Sequence, residues 1–253
     1  MRLNRVKQLW REQQRVAVGW AGSPDTFVIE TMANAGFDAL VLDMQHGMGI
    51  GPDRAAVALQ VISTTDTMPV VRVPWNDPIP IQHVLDAGAY GVIVPMVNTR
   101  AEAEKAAGAC RYHPLGYRSN GPNRVRYYAG RDYYEHANRE VMCLVMIETV
   151  EAIENLEEIA TTPGIDGFYV GPTDLAITMG LEPLLDHPDP RHAAMVQRVV
   201  DVARKHGLAA GIHTTGPEEG RRRFDQGFNF CPIGFDVKAI ADAAQRALTH
   251  FRG

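Results

Sequence analysis

Five apolar runs in this 253-residue chain end in side chains able to do acid, base or cation chemistry. Leu40-Val-Leu42 leads to Asp43 and, three positions on, His46, while Val70-Val71 leads to Arg72. Cys143-Leu-Val-Met-Ile147 ends in Glu148, Phe168-Tyr-Val170 is followed by Gly171-Pro-Thr-Asp174, and Leu208–Ile212 is followed by His213. A carboxylate closing a Leu/Val/Ile run costs stability unless a positive partner sits beside it. Glu148 and Asp174 stand one strand–helix–strand unit apart, which puts them on neighbouring strand tips, and a shared cation is the economical partner. As hard oxygen donors they suit Mg²⁺ or Mn²⁺, held by one or two carboxylates with water and substrate completing the shell. The competing reading makes them first-turn acids that favour helix N-termini.

Arg72 reads either as a structural ion pair or as a fixed cation aimed at a carboxylate or developing oxyanion. A turn after the strand would let Asp43 orient the imidazole of His46, giving a base with its orienter. Gly171 permits close backbone approach to a ligand, and the N–H groups that follow favour an anion. His213 alone carries little weight, because one histidine at a strand end is more often packed or hydrogen-bonded structure.

The elements that must position these groups follow from the hydrophobic pattern. Eight short apolar runs, Val16–Gly22, Asp38–Asp43, Met68–Val73, Gly91–Met96, Met142–Glu148, Ile165–Gly171, Leu208–His213 and Phe228–Gly234, are continuous enough to be strands buried on both faces. Between them lie segments with Asp, Asn, Thr or Pro at the start and Gly past the end, the asymmetry of helix caps. Strands alternating with helices imply an α/β fold with a parallel sheet, and eight such units imply one (β/α)8 TIM barrel domain over 1–253. An open doubly wound sheet is the alternative. Tyr112 to Glu140 breaks the rhythm as a long polar stretch without period, which reads as a functional loop.

Composition narrows the chemistry. A net charge of −5 argues against nucleic-acid and anionic-membrane partners. The Arg221-Arg222-Arg223 cluster reads as the solvated face of a helix. Three scattered cysteines without a CxxC pair suit reduced, buried thiols in a cytoplasmic protein, and no apolar run is long enough for a signal peptide or membrane span. The four lysines, Lys7, Lys105, Lys205 and Lys238, all fall in helical segments, so no strand tip offers an amine for Schiff-base chemistry. No G-x-S-x-G elbow is present. Metal-assisted chemistry remains.

Taken together, Leu42-Asp-Met-Gln-His-Gly47, Pro69-Val-Val-Arg-Val-Pro-Trp-Asn-Asp77, Val94-Pro-Met-Val97, Met146-Ile-Glu-Thr149 and Val170-Gly-Pro-Thr-Asp-Leu175 resemble the metal-dependent pyruvate aldolases. These are of the 4-hydroxy-2-oxoheptanedioate and 2-dehydro-3-deoxyglucarate aldolase type, within the citrate lyase-like group of phosphoenolpyruvate/pyruvate barrels. The resemblance implies that Glu148 and Asp174 bind a divalent metal (Mg²⁺, Mn²⁺ or Co²⁺) that pyruvate chelates. It implies that Arg72 contacts the keto or enolate oxygen, that the backbone from Gly171 through Pro172 and Thr173 to Asp174 receives the carboxylate, and that His46, oriented by Asp43, moves the proton. Arg118 would bind a distal carboxylate of the substrate or pair at a subunit contact.

The implied partners are pyruvate and an aldehyde, and the implied assembly is a homo-oligomer, a hexamer or trimer of dimers, with the final helix Asp236–Phe251 packed on a neighbouring subunit. The chain departs from the family pattern at Gln45, where an acid is common, in Gly116–Pro122, and at Cys231-Pro232. Other readings are a lyase or decarboxylase working on a 2-oxo acid or acyl-CoA through the same enolate site, and a non-catalytic barrel that binds a small acid.

Overall fold

A computed structural model describes residues 1–253. Helix α1 (Arg5–Arg11) precedes β1 (Val16–Ala21), α2 (Thr26–Ala33), β2 (Ala39–Asp43), α3 (Pro52–Ile62), β3 (Met68–Arg72), α4 (Pro78–Ala87) and β4 (Gly91–Val94). The middle of the chain forms α5 (Arg100–Cys110), α6 (Val125–Ala129), α7 (Tyr133–Glu140), β5 (Met142–Ile147), α8 (Val150–Glu154), α9 (Leu156–Ala160) and β6 (Gly167–Val170). It ends in α10 (Pro172–Thr178), α11 (Pro190–His206), β7 (Ala209–Ile212), α12 (Pro217–Gln226), β8 (Phe230–Phe235) and α13 (Asp236–Arg252).

The strands pair in chain order, and β8 returns to β1 in parallel, so the sheet closes into an eight-stranded barrel. Every residue of β2, β3, β4, β5, β6 and β7 is buried, as expected for strands covered by side chains inside and helices outside. The helices start where polar caps stand. Asp25 and Asp77 accept first-turn N–H groups of α2 and α4, and Thr99 with Glu102 forms a capping box on α5. No helix is long and apolar enough to cross a membrane.

The expected strands are trimmed at their ends, and the trimming matters for the site. Glu148 is the residue after β5, while Asp174 sits in the first turn of α10. Tyr112–Glu140 is not a single loop, because it contains α6 and α7, each too short to show a helical period. Tyr133 from this segment is fully buried. The Arg221–Arg223 cluster divides: Arg221 and Arg222 are exposed, but Arg223 is buried between Glu219 at 2.9 Å and Asp186 at 3.1 Å. A guanidinium on the inner face of α12 needs this pairing to leave water. Cys110, Cys143 and Cys231 are buried and free, as expected. In α13 only Asp236 is buried, and Val237, Ile240, Leu248 and Phe251 are exposed.

Candidate active site

Strand register decides which groups meet at the C-terminal rim. Asp43 ends β2 directly opposite Arg72, which ends β3. Arg72 donates from Nε to Asp43 Oδ1 at 2.9 Å and from Nη2 to Oδ2 at 2.5 Å, a bidentate pair with both residues buried. Trp20 Nε1, on β1, adds a third bond to the Asp43 carboxylate at 3.2 Å, and its ring lies 4.9 Å from the guanidinium carbon. Burial alone would raise the Asp43 pKa. The Arg72 hydrogen bonds and charge outweigh it, and the carboxyl is held below its ordinary range. Arg72 is thereby fixed on one edge while Nη1 makes no bond within the chain.

This corrects the expected role of Asp43. Its carboxylate does not hold the His46 ring. Instead Oδ1 accepts the backbone N–H of Gln45 and of His46, both at 3.1 Å. The three-residue spacing forms a backbone turn, and the cross-strand guanidinium takes the rest of the carboxylate. His46 itself is exposed, with its side chain on the wall of the cavity. The Gln45 side-chain oxygen is buried without a partner.

Across the barrel mouth the two expected metal ligands differ in environment. Glu148 is buried, and its Oε1 accepts the Met96 N–H at 2.7 Å. Met96 reaches this position with φ 55, a left-handed backbone uncommon for a non-glycine residue and the kind of strain found at functional sites. Nothing in the chain bonds Glu148 Oε2. A β-carbon at Gly171 would fall 2.5 Å from that oxygen, so glycine keeps the space around it open. Burial raises the Glu148 pKa to about 7, the Met96 bond and Arg72 oppose that rise, and the charge of Asp174 adds to it. Asp174, in contrast, is exposed, so the expected cost of burying a carboxylate applies to Glu148 alone.

One cavity of about 370 Å³ opens among these groups, with Asp43 and Glu148 behind its wall. His46, Arg72, Gly171, Pro172, Thr173, Asp174 and His213 line it, together with Met146 and Leu185. A larger hollow of about 720 Å³ lies at the opposite end of the barrel around Arg2, Arg5, Asp38 and Asp66, away from all of them. Arg118 also belongs to that far end. It is buried against Asp86 at 2.6 Å and the Tyr133 hydroxyl at 2.9 Å, near the end of α4 that leads into the start of β4. With its guanidinium paired inside the chain, Arg118 does not reach the cavity and is not placed to bind a substrate carboxylate there.

The residues fit a divalent cation of the hard type. Glu148 and Asp174 supply two carboxylates, and no third His, Cys, Asp or Glu completes a ligand cluster, so the remaining positions fall to water and substrate oxygens. The open Glu148 Oε2 beside Gly171 is the structural feature that favours such an ion. A proton and a cation then compete for Glu148. Cation affinity is therefore expected to weaken as pH falls through about 7, with the apparent dissociation constant rising about tenfold per pH unit below it. Calorimetric titration of Mn²⁺ between pH 5.5 and 8.5 reads this directly, and a flat profile would count against Glu148 as a ligand.

Residues 17–243 match the HpcH/HpaI aldolase/citrate lyase family. The chain belongs to this family. A hydroxypyruvate/pyruvate aldolase from Rhizorhabdus wittichii is 38% identical over 250 residues, covering 99% of each chain. A 4-hydroxy-2-oxo-heptane-1,7-dioate aldolase from Escherichia coli is 36% identical over 237 residues, 92% of this chain and 88% of the relative. The crystal structure of a family protein from Burkholderia cenocepacia superposes with a TM-score of 0.91 at 29% identity, over 99% of this chain and 100% of the other. The family resemblance of the strand-end motifs therefore holds, and the protein is an enzyme of the aldolase class, a carbon–carbon lyase.

Some contributors lay outside the sequence reading. Trp20 is one, because its bond to Asp43 depends on β1 lying beside β2. The Met96 N–H carries no side-chain signal. Leu185 reaches the cavity from a loop whose Asp186 is anchored by Arg222 and Arg223.

Proposed function

We propose that this enzyme is a divalent-cation-dependent aldolase that cleaves a 4-hydroxy-2-oxo acid to pyruvate, or a pyruvate analogue, and an aldehyde. The observation that carries the reading is the clamped Arg72, held by Asp43 in the cavity that Asp174 and Gly171 also line, with Glu148 Oε2 packed against Gly171. Glu148 and Asp174 are the proposed holders of Mg²⁺, Mn²⁺ or Co²⁺. Such a cation, when bound, supplies Lewis-acid polarisation of the 2-oxo group.

The chain's own residues account for the rest. The substrate carboxylate meets the N–H groups of Thr173 and Asp174, which belong to the first turn of α10 and have no partner within it. Arg72 presents Nη1 to the 2-oxo oxygen, where negative charge collects as the enolate forms. Because Asp43 fixes the guanidinium before substrate arrives, little reorganisation is needed, and that is the efficient form of electrostatic stabilisation. His46 takes the proton of the 4-hydroxyl. The C3–C4 bond then breaks, the aldehyde departs, and the bonding electrons pass into the enolate of pyruvate, which gains a proton at C3.

His46→Ala is expected to slow cleavage at least about a hundredfold, the usual worth of a positioned general base. Pyruvate release assayed with a coupled dehydrogenase checks it, and wild-type rates would assign the proton to another group.

A further inference from the structure

A second hollow of about 560 Å³ opens beside the cavity and shares His46, Leu185 and His213 with it. Trp20, Met48, Phe235, Val237 and Ala241 give it apolar walls. Its charged side chains are already satisfied within the chain. Asp236 accepts the N–H groups of Gly22 at 3.0 Å, Ser23 at 2.9 Å and Val237 at 2.7 Å. Lys238 Nζ is paired with Asp242 at 2.7 Å, and Asp43 with Arg72. No unpaired cation faces a ligand here.

His213 stands where the two hollows meet. Its Nδ1 lies 2.9 Å from the hydroxyl of Tyr169, which is fully buried on β6. The hydroxyl has no other partner in the chain, and with the phenol donating, the bond occupies Nδ1 as the acceptor. The imidazole hydrogen is then on Nε2, which has no partner in the chain. Trp20 and Phe235 hold the ring edge-on at 4.7 and 5.3 Å between centroids. Burial and the nearby Arg72 charge lower the His213 pKa to about 4, which leaves the ring neutral near pH 7. The group is a rigid, uncharged donor facing open space.

We propose that His213 is a specificity-determining residue whose Nε2–H holds the carbonyl oxygen of the aldehyde at the junction, with an uncharged apolar tail of that aldehyde filling the second hollow. This rests on the aldolase reading and adds the chemical class of the second substrate. The enolate carbon attacks the aldehyde carbon in the condensation direction, the C–C bond forms, and the aldehyde oxygen takes a proton from His46. His213 keeps its own proton throughout and acts by position.

The Mn²⁺-loaded enzyme is assayed for condensation of pyruvate with hexanal and with succinic semialdehyde, whose tail carries a carboxylate. Hexanal is expected to have at least about tenfold higher kcat/KM, and equality or preference for the semialdehyde would overturn the assignment of the tail. His213→Phe is expected to raise the KM for hexanal about tenfold or more, with most of the loss in KM rather than in kcat. His213→Gln retains an N–H donor and is expected to recover part of that loss. An unchanged aldehyde KM in His213→Phe, or a loss carried wholly by kcat, would overturn the role of His213. Absence of cation-dependent methyl exchange of pyruvate in D₂O in the wild-type enzyme would instead bring down the aldolase reading, and this proposal with it.

Discussion

Glu148→Ala lowers kcat/KM for pyruvate release at least about a thousandfold, the scale of losing electrostatic stabilisation at the reacting oxygen. Glu148 is the buried member of the carboxylate pair, with one oxygen tied to the Met96 N–H and the other left open beside Gly171. The exposed Asp174 would hold a cation poorly alone. The fold itself is expected to tolerate the change, because Glu148 makes no ion pair and its burial without a cation is already unfavourable. A truncated side chain therefore removes function and relieves desolvation together. Cation affinity by calorimetry and thermal unfolding by circular dichroism are the paired measurements. Near-native affinity in Glu148→Ala would move the cation elsewhere.

Arg72→Ala is expected to lower kcat by about 10²–10³-fold, as loss of one preorganised oxyanion donor does. Unlike Glu148→Ala it also costs about 3–5 kcal/mol of stability, since Asp43 is left as an uncompensated buried charge. The double variant Asp43→Asn/Arg72→Ala separates the two effects. It removes the orphaned charge, so stability recovers while activity stays low. Recovery of activity along with stability would show that Arg72 acts only through the fold. Chemical denaturation and steady-state kinetics on the three proteins give the comparison.

Much of this arrangement was legible because buried parallel strands leave a strong signature. The eight apolar runs placed the barrel strands to within a few residues, and caps such as Asp25, Asp77 and Thr99 marked the helices between them. Glu148 and Arg72 stand out as polar residues closing apolar runs; Arg72 lines the cavity, and Glu148 lies against Gly171, which also lines it.

Register and long-range charge decide what local spacing does not show. Asp43 and His46 are close in sequence, so local spacing suggested a side-chain pair. The parallel register instead sets Asp43 opposite Arg72, and a bidentate guanidinium outcompetes an imidazole for a buried carboxylate. Arg118 illustrates the same limit, because its partner Asp86 is far away in the chain and nothing local marks the pairing. Asp174 and Glu148 looked equivalent as run-ending acids. Their difference arises because α10 begins at Pro172 and carries Asp174 out to solvent. His213 was undervalued for want of Tyr169 and Trp20, which reach it only when β1, β6 and β7 are set around the barrel.

The central claim is that this cavity generates the enolate of pyruvate with a divalent cation on Glu148 and a guanidinium on the keto oxygen. Exchange of the pyruvate methyl protons in D₂O, followed by NMR, tests it without any knowledge of the aldehyde. The account predicts rapid exchange with Mg²⁺ or Mn²⁺, none after chelation, and none in Glu148→Ala. Exchange that persists at the wild-type rate without cation or without Glu148, or its absence in the cation-loaded enzyme, would contradict the account.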